Sequence, residues 1–165
     1  MGFDELGHAF EKLFKERKLL LIIMGIVVAP LFEETIFRLH LDLKKPYIWW
    51  GLGLSLLIVI SDWFVGLALM IYLLYLLIML HEKSPPNLKM VVYISAAFFA
   101  LIHLGNYTKF DILSHFYLIP FLVGSQFVGG LILSYIRLNH GIKWSILYHG
   151  VFNAVLIIPM LFMEV

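Results

Sequence analysis

The sequence contains no cysteine and little charge. Without thiols there is no disulfide, no thiolate metal site, no cysteine nucleophile and no cysteine lipidation. Charged residues make up 14% of the 165 positions, whereas soluble domains carry about a quarter. Net charge is +1 and no basic tract occurs, so a nucleic-acid partner has no electrostatic footprint. The chain opens Met-Gly, but Leu6 stands where myristoylation needs Ser or Thr. Residues 1–18 are too polar for a signal peptide, and no small-residue cleavage site follows the first apolar run, so no processing is expected. Internal repeats and low-complexity segments are also missing.

What the chain has in excess is apolar surface: 62% of residues are hydrophobic and mean hydropathy is +0.94. A water-soluble core of this size could not hide so much, but a bilayer accepts it. A spanning helix takes about 20 residues, so the chain holds about six spans and no second, soluble domain. The expected fold is all-α: a polytopic helix bundle over 19–165, preceded by an amphipathic interfacial helix over 1–18 with Phe3, Leu6, Phe10, Leu13 and Phe14 set against Lys12, Lys15, Arg17 and Lys18. The apolar run 19–32 leads into Glu33-Glu34. The stretch 47–80 is too long for one crossing and folds into a hairpin at Ser61-Asp62-Trp63. Ser84-Pro85-Pro86-Asn87 breaks the chain, with Asn87 a helix N-cap. Spans over 88–104, 120–136 and 142–163 follow, with a short interfacial piece at 111–117. Ser125 and Gly129 form a small-xxx-small pair that predicts close packing of the span 120–136 on a neighbour. Lys12, Lys15, Arg17 and Lys18 favour a cytoplasmic N-terminus, against Arg38, Lys44 and Lys45 on the other side.

In a membrane the informative residues are polar ones. A charged side chain at mid-bilayer costs roughly 2.5–3.5 kcal/mol on insertion scales, yet Glu33-Glu34-Thr35-Ile36-Phe37-Arg38 follows an apolar run directly. On a helix Glu34 and Arg38 are i,i+4, about 40° apart, and can pair; Glu33 lies about 140° from Arg38 and cannot share that contact. One carboxylate is therefore held and the other left free, unless the segment is simply a solvated helix end. His103 sits in an apolar helix one turn after Phe99, and His149 and Asn153 share a face at i,i+4. Either element alone is more often a bundle hydrogen bond than catalytic. The remaining histidines, His8, His40, His81, His115 and His140, are expected in loops or at interfaces. Together, a free glutamate, two histidines and an amide are the parts needed to activate water and hold an oxyanion. Competing templates are lacking: His81-Glu82 is not followed by a zincin histidine, no Gly-x-Ser-x-Gly elbow occurs, and Ser95, Ser125 and Ser145 have no serine-protease context.

Glu33-Glu34-x-x-x-Arg38, Phe99-x-x-x-His103 and His149-x-x-x-Asn153, with the lead-in Val28-Ala29-Pro30-Leu31-Phe32 and the segment Gly141-Ile142-Lys143-Trp144, resemble the signature motifs of the CAAX protease and bacteriocin-processing (CPBP, or Abi) intramembrane proteases. The likeness covers roughly 20–160. The stretch from Glu33 to His103 exceeds what the family leads one to expect by about the hairpin 47–80, which preserves helix parity. At about 1.5 Å per residue, Glu33 and His149 reach one depth, but His103, counted from Asn87, falls about 15 Å too far across.

The resemblance implies hydrolysis of a peptide bond in a membrane-associated protein or peptide. Glu33 would be the general base on a water shared with His103, His149 and Asn153 the oxyanion donors, and Glu34, Arg38 and Phe99 the support. Glu33, His103 and His149 also make a His₂Glu set for one zinc ion with water in the fourth place; water activation without metal fits the same residues. Two other classes compete: a non-proteolytic immunity or scaffold protein on this fold, and a proton-coupled transporter, against which the lack of internal repeats counts. Small size with few soluble loops points to a multi-pass protein of a prokaryotic plasma membrane.

Overall fold

The computed structural model describes residues 18–106, 112–160 and 162, and these are helical with short connections. The expected interfacial helix over 1–18 lies outside the described residues except for Lys18. The first span is Lys18–Asp42, built from α1 (Lys18–Ile23), a π-helical turn (Met24–Val28), α2 (Ala29–Phe37) and a 3₁₀ turn (Leu39–Asp42). Pro30 explains the wide turn. It has no N–H to return to the preceding turn, and the Ala29 N–H reaches back five residues to Met24 O.

A left-handed Leu43 (φ 52°) leads into α3 (Lys45–Ser61). Asp62 then stops the helix in extended conformation and caps α4 (Trp63–His81), accepting from Val65 N at 3.1 Å. The hairpin thus turns at the expected residues. After the Pro-Pro break, Asn87 caps α5 (Leu88–Ile102), accepting from Lys89 N at 2.9 Å. Short turns at α6 (Ile112–His115) and Phe116–Leu118 overlap the piece expected at 111–117, the second running one residue beyond it. The chain returns through α7 (Ile119–His140) and α8 (Ile142–Met160).

Among the described residues, 5 helices are long and apolar enough to cross a bilayer, and α3, with 17 residues, is at the short end of that range. The protein is a multi-pass membrane protein. Its packed interior holds Phe37, Leu41, Ile48, Leu69, Leu73, Leu76, Val91 and Phe99. Ile60, Trp63, Ile71, Phe121 and Val155 point outward, where acyl chains replace a protein neighbour.

Two expectations about packing and burial are corrected. Ser125 is exposed, and a Cβ at Gly129 would meet nothing within 4 Å. The close approach is at the next residue: a Cβ at Gly130 would stand 3.2 Å from Ala96 and from Arg38 Nη2. Rotating by one residue moves about 100° around a helix, so the small-residue spacing was right in kind and wrong in face. His40 is not solvated. It is fully buried, because the 3₁₀ turn tucks it against α4, where its ring lies edge-on to Tyr72 at 5.9 Å and Nδ1 donates to Ile36 O at 3.1 Å.

Candidate active site

The glutamates lie within the first span, not at a solvated end, because α2 continues through them to Phe37. Glu34 is fully buried and tied on every side. Its Oε1 stands 3.6 Å from Arg38 Nη1 and 3.0 Å from His149 Nδ1, and its Oε2 accepts from the Ser145 hydroxyl. This is the pairing the i,i+4 spacing predicts, with two partners from α8 added. Glu33 differs. It is 21% exposed, its Oε2 is buried without a hydrogen-bond partner, and that oxygen faces His149 Nε2 at 3.7 Å. His149 therefore stands between the two carboxylates, one ring nitrogen toward each.

None of the Arg38 guanidinium nitrogens has a hydrogen-bond partner among the described residues. Its charge is met by Glu34 and by the face of Phe99, whose ring centre is 4.0 Å from the guanidinium carbon, a cation–π contact in a dry setting. The same ring stands 4.8 Å from the ring of His103 and 5.6 Å from that of His149. Phe99 thus joins the three motifs. It also accounts for part of the depth mismatch. His103 caps α5, and its ring folds back so that Nδ1 donates to Phe99 O at 2.7 Å. That sets the imidazole on the Phe99 side of its own Cα, nearer the level of His149 than a count to the Cα suggests.

Asn153 is one turn beyond His149 and donates from Nδ2 to Gly25 O at 2.8 Å. That carbonyl is available because the Ala29 N–H goes to Met24 and Pro30 has none to give. The helices touch there: a Cβ on Gly150 would come within 2.7 Å of Ile26 O. A further tie, Arg137 Nη2 to Asp42 Oδ2 at 2.7 Å, fastens α7 to the end of the first span. In the sequence Ser145 is set aside for want of a serine-protease context, and Gly150, Gly25 and Asp42 are not singled out. The stripe Ser145, His149, Asn153, at intervals of four, was the available signal for the first of these.

Among the described residues no three His, Asp or Glu side chains stand close enough to hold a metal ion. As the side chains sit, Glu33, His103 and His149 are not assembled as a three-ligand set, and His149 Nδ1 is taken by Glu34.

With this arrangement in view, the comparison with known families is direct. The model of the Rce1-like family, type II CAAX prenyl endopeptidase Rce1-like, matches residues 15–155. The chain belongs to the Rce1-like family. The matched region includes Glu33, Glu34, Arg38, Phe99, His103, His149 and Asn153, in agreement with the resemblance drawn from the motifs. As an Rce1-like protein it is a membrane protease, acting on membrane-associated substrates in the bilayer. No curated protein and no solved structure matches the chain.

Proposed function

We propose that the chain is an intramembrane endopeptidase that hydrolyses a peptide bond of a membrane-associated protein or peptide, with Glu33 as the base. What supports this is the contrast between adjacent carboxylates: Glu34 has its oxygens occupied by Arg38, His149 and Ser145, whereas Glu33 keeps a buried oxygen without a hydrogen-bond partner beside His149. A general base needs an unengaged oxygen within reach of the proton it takes.

In this reading a water held between Glu33 and His103 loses a proton to Glu33 as its oxygen attacks the scissile carbonyl carbon. Nδ1 of His103 is committed to Phe99 O, which leaves Nε2 to orient the water. The carbonyl oxygen becomes the oxyanion and accepts from Nε2–H of His149 and from the second Asn153 amide hydrogen, the first serving Gly25 O. His149 acts as the imidazolium while its Nδ1–H stays with Glu34. Glu34 holds the Nδ1 edge of His149 so that Nε2 faces the site. When the C–N bond breaks, the proton on Glu33 passes to the leaving amine, and the carboxylate is regenerated. The water is activated without a metal, and the membrane is a prokaryotic plasma membrane.

The test compares wild type with Glu33→Gln, purified in detergent, on a fluorogenic membrane-peptide library. Turnover by wild type alone supports the reading. No turnover by either folded form turns the assignment to an immunity or scaffold protein on the same fold.

A further inference from the structure

We infer that Ser145 is a positioning residue for the site, acting through Glu34 on His149. It is fully buried, and no motif resemblance includes it. Its hydroxyl donates to Glu34 Oε2, while Glu34 Oε1 takes the Nδ1 edge of His149. Leu133 O on α7 lies 3.1 Å from the same hydroxyl. A hydroxyl has one hydrogen, and a carboxylate oxygen is a stronger acceptor than a peptide carbonyl, so the hydrogen goes to Glu34.

The consequence is rotational. A carboxylate turns readily about its last bond, because sp³–sp² torsions are broad. Arg38 cannot stop that turning: at 3.6 Å its contact is ionic, without a directed hydrogen bond. The Ser145 hydroxyl fixes the second oxygen and so fixes the plane in which the first meets His149. Ser145 and His149 are one turn apart on α8, so the helix carries both the imidazole and the group that orients the imidazole's acceptor. Without the hydroxyl, Glu34 is free to swing, and the ring it holds is no longer aimed at Glu33.

This deepens the protease reading and uses it for the kinetic readout alone; the spectroscopic readout stands without it. Protein labelled with ¹⁵N at histidine is studied by NMR in detergent micelles, and the Nδ1-bound proton of His149 is identified by its loss in His149→Gln. The proton is expected as a sharp downfield signal in wild type. Ser145→Ala should broaden or remove it and lower kcat about tenfold to a hundredfold with KM unchanged, the scale set by slight misplacement of a catalytic group. Ser145→Thr, which restores the hydroxyl, should bring the signal back. Ser55→Ala removes another buried hydroxyl, one that donates to Leu52 O in α3, and should leave signal and kcat as in wild type. An unchanged His149 signal in Ser145→Ala overturns the inference, whatever the turnover. So does equal loss of signal in Ser145→Ala and Ser55→Ala. If wild type cleaves nothing, the protease reading fails and the NMR comparison still decides the role of Ser145.

Discussion

Glu34 Oε1 and His149 Nδ1 meet at 3.0 Å across 115 residues of chain. Through this bond the first span and α8 meet at one candidate site, and the two adjacent glutamates differ in how they are engaged. The difference can be measured. Glu33→Gln should lower turnover by about 10²–10⁴ and leave thermal unfolding in detergent close to wild type. Glu34→Gln leaves the Arg38 charge buried with its acidic partner gone, a change that costs about 3–5 kcal/mol, and should lower both turnover and the melting temperature. Equal melting shifts for the two variants would contradict the division of roles.

The π-helical turn makes a second prediction. Asn153 serves the Gly25 carbonyl because Pro30 cannot. Asn153→Ala should therefore destabilise the protein by about 0.5–1.5 kcal/mol. In a Pro30→Ala background, where an N–H is restored to the first span, that loss should shrink. A double-mutant cycle of unfolding measurements checks the coupling; strict additivity would refute it.

Helix contact supplies a third. Gly150→Ala forces a Cβ to within 2.7 Å of the Ile26 carbonyl, which is backbone and cannot move aside, while Gly129→Ala enters open space. Thermal unfolding should show a cost of about 1–3 kcal/mol for the first and none for the second. Turnover should fall with Gly150→Ala as well, since α8 carries His149 and Asn153.

Metal dependence is the fourth. Turnover should persist after exhaustive chelation, and elemental analysis of active protein should find zinc well below one ion per chain. Activity lost to a chelator and restored by zinc would replace the metal-free route with a His₂Glu centre of Glu33, His103 and His149.

Much of the site was legible in the sequence because charge in an apolar run must have a reason, and helical spacing then limits the partners. The pairing of Glu34 with Arg38 followed from four residues of separation, and the turns at Asp62 and Asn87 from capping chemistry. What lay beyond reading were contacts between distant helices. Nothing local to Ser145 says that Glu34 is opposite it, and nothing local to Gly130 rather than Gly129 says which faces Ala96. His40 was misplaced for the same reason: a polar residue near a span's end reads as wet until the turn that buries it is known. The depth of His103 is legible only in part, since counting along the axis ignores that a helical side chain leans back toward the preceding turn, and that lean closes part of the gap.

The site joins the first span to α8, and this orders events during synthesis. A ribosome that has delivered the first five crossings has made both glutamates, Arg38, Phe99 and His103, but not the imidazole that Glu34 holds. On the roles proposed above, until residue 149 is in place the growing chain has Glu33 without the donors of α8 beside it. On those roles a protease assembled in this order stays silent inside the insertion machinery, among the nascent membrane proteins it could otherwise cut, and acts only after α8 has docked.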